Sequence, residues 1–174
     1  TLQAPLASGQ PRLGDADLWC PEMEFMLPLT NLNAAALDAA VNILPATQPR
    51  PTLHFDDVAG MLRGFIDLVF SVGGRYFLVD FKSNWLGASV ADYHAEALDA
   101  AMAEHRYDVQ AMLYAVALHR HLQRTVPDYD PAQHFGGVGY LFVRGISREG
   151  HGIWFHTPAP TLLQHLDALL GGDA

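Results

Sequence analysis

The sequence predicts an α/β protein in which one mixed β-sheet is flanked by helices. Strand-like apolar segments and helical segments are interspersed along the chain, but they do not alternate strictly as in a parallel-sheet protein. Half of the 174 residues are hydrophobic and 17% are charged, a composition typical of a folded domain with a sizeable core. The length fits one domain of ordinary size.

The first twenty residues differ from the rest of the chain. Residues 1–20 contain four proline or glycine residues and show no hydrophobic periodicity, so we expect a tail or connector there. Residues 21–174 are expected to form a single domain.

Five segments have the composition of strands and three that of helices. The predicted strands are residues 22–29, 61–70, 75–82, 136–145 and 152–157. The predicted helices are 31–44, capped near Asn31 or Asn33, 107–126, with Asp108 as the cap, and 159–170. Prolines between 45 and 51 predict an extended loop, and residues 86–105 are expected to form a short helix or a loop.

Charge and composition exclude some functions. The formal net charge is −9, whereas a protein that grips nucleic acid through its own net field is usually basic. If the substrate is DNA or RNA, we therefore expect neighbouring domains to supply most of the grip. No apolar run approaches the roughly 20 residues that a membrane span needs, and the single cysteine, Cys20, excludes an internal disulfide.

A glycine pair between two predicted strands defines a candidate metal site. Gly73-Gly74 predicts a two-residue hairpin turn, in which Val72 faces Arg75. In this register Asp67 lies directly opposite Asp80, and opposed side chains share one face of the sheet. Two carboxylates so placed would repel each other in apolar surroundings, and a divalent cation between them removes the conflict. Hard oxygen ligands favour Mg²⁺, Mn²⁺ or Ca²⁺ over zinc.

The only lysine of the chain is close to these carboxylates. Lys82 lies two residues after Asp80 and therefore on the same face of the strand, whereas the other nine basic residues are arginines. The backbone carbonyl of Phe81 is a natural further metal ligand. A metal that activates water, next to an ammonium group that stabilises the developing charge, is an arrangement for phosphodiester hydrolysis. The simpler alternative is a salt bridge between Asp80 and Lys82, with Asp67 as a solvated edge residue.

The predicted helix 107–126 carries a polar pair. Gln110 and Tyr114 are four residues apart and share one helix face. Their side chains can bond a phosphate, a base edge or a water molecule, and a tyrosine can stack on a base. An ordinary boundary between the polar and apolar faces of the helix would give the same pattern.

Four stretches together resemble the C-terminal nuclease domain of the RecB family, in the restriction-endonuclease-like PD-(D/E)XK superfamily. They are "GFIDLV", "DFKSNWLG", "RYDVQAMLYAVALHRHL" and "HFGGVGYLFVRG". The resemblance implies a restriction-endonuclease-like fold for the nuclease domain 21–174 and Mg²⁺-dependent cleavage of DNA. It implies that Asp67 and Asp80 bind the metal, that Lys82 is catalytic, and that Gln110 and Tyr114 position the substrate.

The resemblance also implies a cellular setting. RecB-family nuclease domains work beside helicase domains of the same parent chain and with RecC- and RecD-like subunits, in the cytoplasm, in double-strand-break repair and recombination. Because the chain is acidic, we expect it to cleave single strands more readily than duplexes. Two alternatives stay open, a non-catalytic docking module with a nuclease fold and a stand-alone exonuclease of phage or plasmid type.

The sequence departs from the family pattern at one ligand. Members carry a metal-binding histidine on a helix upstream of the strand that resembles "EMEFMLPL", whereas this sequence has no histidine before His54. The departure predicts impaired activity of this chain alone. Glu22 and Glu24 are acidic residues of that strand, but we do not predict either of them as a ligand.

Overall fold

A computed structural model describes residues 3–42, 44 and 48–171. In it a five-stranded mixed sheet lies against helices, which confirms the predicted fold class. The strands follow one another across the sheet in chain order. Strands β3 and β4 are parallel, and the other neighbouring pairs are antiparallel. The strands are β1 (Leu18–Leu32), β2 (Val58–Val72), β3 (Arg75–Lys82), β4 (Phe135–Phe142) and β5 (Ile153–His156).

Five helices accompany the sheet in the described residues. They are α1 (Ala34–Val41), α2 (Ala95–Glu104), α3 (Tyr107–Thr125), α4 (Pro131–His134) and α5 (Pro160–Leu169), with 3₁₀ turns at Leu13–Asp15 and Val90–Tyr93. Asn33 caps α1, since its side chain accepts a hydrogen bond from the backbone N–H of Ala36. Residues 43 and 45–47, at the end of the predicted first helix and in the proline-rich loop, lie outside the described residues.

The predicted cap of the long helix is wrong. Helix α3 begins at Tyr107 with Arg106 in the cap position, so Asp108 lies inside the first turn. Asp108 is 2% exposed and pairs with two arginines, Arg50 Nε at 2.6 Å and Arg106 Nε at 3.2 Å. The carboxylate thus stabilises the start of α3 through buried ion pairs. Arg106 itself adopts a left-handed conformation, with φ 53°.

The glycine turn between β2 and β3 has the predicted geometry. Gly73 and Gly74 both have positive φ, 55° and 78°, as the mirror-image turns of two-residue hairpins require. The pairs run from Val72–Arg75 to Leu68–Val79, so the predicted register is confirmed.

Both faces of the sheet are covered, one by helices and the other by the start of the chain. The helix-side core combines residues of β1 and β4 with α3 and α5. On the opposite face a smaller cluster contains Leu68, Phe70 and Val79, and Leu6 and Leu13, each 2% exposed, pack on it. Part of the segment expected to be a tail therefore lies on the sheet, because an apolar sheet face needs cover from water. The division of the chain at residue 21 stays a prediction.

Among the described residues, no helix combines the length and the apolar character needed to cross a membrane.

Candidate active site

The regular alternation of side chains between the two faces of the sheet is interrupted in β2 at Asp67. Side chains of a regular strand alternate between the two faces, so Ile66 and Leu68 should share one face. Instead Ile66 belongs to the helix-side core and Leu68 to the cluster on the opposite face. In the neighbouring β1, Glu22 falls beside Asp67, between the pairs Pro21–Leu68 and Met23–Ile66, and has φ 51°. The irregularity of both strands is thus centred on the first predicted carboxylate.

A hydrogen bond to the side chain of Asp67 follows the last residue pair of the β2–β3 ladder. The last regular pair is Leu68–Val79, and the next position would pair Asp67 with Asp80. There the Asp67 side chain accepts a hydrogen bond from the backbone N–H of Phe81, with Oδ2 at 2.8 Å from the nitrogen. The contact holds the Asp67 carboxylate next to the strand that carries Asp80. The two predicted carboxylates therefore lie side by side.

Asp80 is a buried carboxylate beside the ammonium group of the partly buried Lys82. It is 4% exposed, and its Oδ2 lies 2.7 Å from Nζ of Lys82, whose side chain is 13% exposed. Burial raises the pKa of Asp80. The hydrogen bond and the charge of Lys82 oppose this rise, and the negative charge of Asp67 adds to it. The salt bridge of the simpler alternative is present, but Asp67 is half-buried and hydrogen-bonded, unlike a solvated edge residue.

Helix α3 brings its polar pair to the lysine. Gln110 Oε1 lies 2.8 Å from Nζ of Lys82 and also accepts a hydrogen bond from the hydroxyl of Tyr140, at 3.0 Å. The side-chain amide of Gln110 donates to the hydroxyl of Tyr114 at 2.9 Å. Burial raises the pKa of Tyr114, and the charge of Asp80 contributes to this rise. Gln110 and Tyr114 thus lie in the same hydrogen-bonded network as Asp80 and Lys82.

Two tyrosines next to the lysine were not predicted from the sequence. Nζ of Lys82 lies 4.0 Å from the ring centroid of Tyr107 and 5.1 Å from that of Tyr140. Tyr107 precedes Gln110 by three residues on the same helix, and this spacing could have indicated a shared face. Tyr140 is the parallel neighbour of Asp80 in β4, which no local pattern indicates.

Other acidic residues and histidines considered from the sequence lie elsewhere. Glu24 forms an ion pair with Arg63 on the surface, and Glu22 is exposed. His54 is exposed in the loop before β2. Over residues 3–42, 44 and 48–171, no group of three or more His, Cys, Asp or Glu side chains is arranged to hold a metal ion.

The two carboxylates nevertheless fit a hard divalent cation. Asp80 Oδ2 is buried, and the ammonium group of Lys82, 2.7 Å away, is its charge partner. Asp67 adds a second carboxylate, with Oδ2 on the backbone N–H of Phe81. Mg²⁺ is typically held by one or two carboxylates, with water and substrate phosphate completing its shell, so a cluster of three protein ligands is not required.

Comparison with known proteins finds a family and relatives that match most of the chain. The family model of the PD-(D/E)XK nuclease superfamily matches residues 23–168. The RecBCD enzyme subunit RecB of Escherichia coli K12 is 47% identical over 155 residues, which cover 87% of this chain and 13% of that protein. RecB of Haemophilus influenzae is 48% identical over 122 residues, covering 70% of this chain and 10% of that protein. RecB of Mycolicibacterium smegmatis is 41% identical over 135 residues, covering 70% and 12% respectively. The matched part of the chain thus spans only about a tenth to an eighth of the length of these relatives.

Proposed function

The chain belongs to the PD-(D/E)XK nuclease superfamily, and from this membership we propose that it hydrolyses phosphodiester bonds of DNA with the help of Mg²⁺. The observation that carries the proposal is the convergence of Asp67, Asp80 and Lys82. Two neighbouring carboxylates and one ammonium group, all at the end of one hairpin, form a set of groups suited to this reaction.

Each residue of the site has a proposed role. Asp67, Asp80 and the backbone carbonyl of Phe81 would hold the cation, for which Mn²⁺ or Ca²⁺ could substitute. When bound, a divalent cation polarises a phosphoryl oxygen and favours deprotonation of the attacking water. Lys82 stabilises the negative charge that develops on the phosphate in the transition state.

The helix residues orient the groups that react. Gln110 fixes the ammonium group of Lys82 through its Oε1, and Tyr114 fixes the amide of Gln110 from the other side. In the proposed substrate complex, these two polar side chains also contact the DNA backbone near the scissile phosphate. A glutamine anchored at both ends of its amide is well suited to hold that geometry.

The relatives suggest a larger setting for this activity. We propose that the chain corresponds to the nuclease region of a RecB-like protein that acts in double-strand-break repair and recombination. Its partners would be helicase domains of the parent chain and RecC- and RecD-like subunits. Since the substrate is cellular DNA, this proposal places the chain in the cytoplasm.

We propose that single strands are the preferred substrate. A net charge of −9 disfavours capture of a duplex through its phosphates alone. Trp85, three residues after Lys82, is 69% exposed, and an exposed indole can stack on an unpaired base. The bases of a duplex are not available for such stacking.

The test is cleavage of end-labelled oligonucleotides of one sequence, single-stranded and annealed to a complement. With Mg²⁺ we expect the purified chain to cut the single strand at least about fivefold faster, since stacking of one base contributes about 1–3 kcal/mol. EDTA is expected to stop both reactions. The rate is expected to be low, because no histidine joins the two carboxylates in the part of the chain that the structure describes. Faster cutting of the duplex would contradict the proposed preference.

A further inference from the structure

The ammonium group of Lys82 has several neighbours besides its ion-pair partner Asp80. It has three N–H donors, and two acceptors lie close to it, Asp80 Oδ2 at 2.7 Å and Gln110 Oε1 at 2.8 Å. On another side it meets the rings of Tyr107 and Tyr140. The group therefore lies among both polar and aromatic neighbours.

We propose that Tyr107 is a positioning residue for Lys82 and that the face of its ring holds the ammonium group beside Asp80. The effect of Tyr107 on catalysis rests on the proposed function. The contact between its ring and the ammonium group of Lys82 does not. A cation over an aromatic face is attracted by the ring quadrupole, most strongly where water is excluded. Because this attraction acts on the charge and does not require a particular N–H, the third donor stays available for a substrate oxygen.

The surroundings of Tyr107 support a positioning role. Its hydroxyl donates to Asn84 Oδ1 at 3.3 Å, and its ring packs on that of Tyr140, with centroids 5.9 Å apart. The backbone next to it is fixed as well, since Arg106 and Asp108 take part in the buried ion pairs at the start of α3. A ring held at its hydroxyl, its face and its backbone can fix the position of a flexible side chain.

The two tyrosines differ in what their replacement would test. Tyr140 is fully buried and donates a hydrogen bond to Gln110, so its loss would disturb the core and the glutamine together. Tyr107 is half-buried at the beginning of a helix, where a smaller side chain is easier to accommodate. Tyr107 is therefore the position at which the inference can be tested.

The single lysine allows a direct test by NMR. In protein labelled with ¹³C-lysine, every lysine side-chain signal comes from Lys82. Ring currents of an aromatic face 4.0 Å away displace the signals of the adjacent methylene protons upfield. We expect this displacement in the wild-type chain and in Tyr107→Phe, and a clearly smaller one in Tyr107→Leu, where only the more distant ring of Tyr140 remains. Tyr129→Leu is the matched control, because it removes a ring that packs on His119, at another position of α3. The displacement should persist in this variant.

Kinetics then separate positioning from binding. We expect Tyr107→Leu to lower kcat about 30-fold with little change in KM, equivalent to about 2 kcal/mol, and Tyr107→Phe to restore most of kcat. An undisplaced wild-type signal, or a displacement that is undiminished in Tyr107→Leu, would overturn the inference. If Tyr107→Leu does not fold, nuclear Overhauser contacts between the Lys82 methylene protons and the ring protons of Tyr107 in the wild-type chain decide, and their absence would overturn it. The spectra require no cleavage, so their outcome is independent of the proposed function.

Discussion

Replacing Asp80 by asparagine is expected to lower the rate of DNA cleavage at least about a thousandfold while the chain stays folded. The asparagine keeps the shape of the side chain but loses the charge that would hold the cation, and metal-assisted charge stabilisation contributes several kcal/mol. The measurement is the rate of cleavage of a labelled single strand with Mg²⁺. Asp99→Asn is the matched control. Asp99 is also a carboxylate whose pKa is raised by burial, but it lies away from the site and accepts a hydrogen bond from the indole N–H of Trp154.

The same variant has an expected signature in stability. Burial raises the pKa of Asp80 above its ordinary value of 3.8, so the native state binds this proton more tightly than the unfolded chain does. The stability that follows from this proton is present at low pH and is lost as the pH rises through the folded-state pKa. In metal-free buffer we therefore expect Asp80→Asn to gain stability relative to the wild-type chain between pH 4 and pH 7. Urea denaturation at both pH values measures the difference in the free energy of unfolding between the two chains. A difference that is the same at pH 4 and pH 7 would contradict the claim that burial disfavours the charged form of Asp80.

Replacing Lys82 by arginine is expected to lower kcat about a hundredfold, although the positive charge is kept. Nζ fits between Asp80, Gln110 and the face of Tyr107, at 2.7, 2.8 and 4.0 Å. A planar guanidinium group is larger and directs its donors in a fixed fork, so it cannot make the same contacts in the same space.

Single-turnover cleavage of a single strand measures the effect of this substitution. Arg120→Lys, the reverse exchange in the ion pair of Arg120 with Asp167, is the matched control and should leave the rate unchanged. A Lys82→Arg chain with near-normal activity would show that a compact charge is not what the site requires.

Local signals in the sequence accounted for the hairpin and the facing helix. The Gly73-Gly74 turn fixes the register as far as Leu68–Val79, and extending this register by one position predicts Asp67 beside Asp80. The alternation of side chains along β3 predicts Lys82 on the same face as Asp80. The four-residue spacing of Gln110 and Tyr114 likewise predicts a shared helix face. These features depend on the geometry of a two-residue turn and of one helix, both of which short stretches of chain determine.

Contacts between distant segments were not predictable in this way. Tyr140 lies beside Asp80 because β4 joins β3 in parallel, after a connection that contains α2, α3 and α4. Leu6 and Leu13 cover the second face of the sheet because β2 and β3 leave apolar side chains there. Asp108, expected as a cap, is buried because the two arginines that neutralise it come together only in the folded chain.

A divalent cation bound between Asp67 and Asp80 can be detected with Mn²⁺, which is paramagnetic. In ¹³C-lysine protein a paramagnetic ion at this position must broaden the single lysine signal, because Nζ of Lys82 lies 2.7 Å from Asp80 Oδ2. We expect broadening in the wild-type chain, its reversal by excess Mg²⁺, and its absence in Asp67→Asn and Asp80→Asn. A lysine signal that stays sharp at Mn²⁺ concentrations that support cleavage would place the catalytic metal elsewhere and contradict the proposed site.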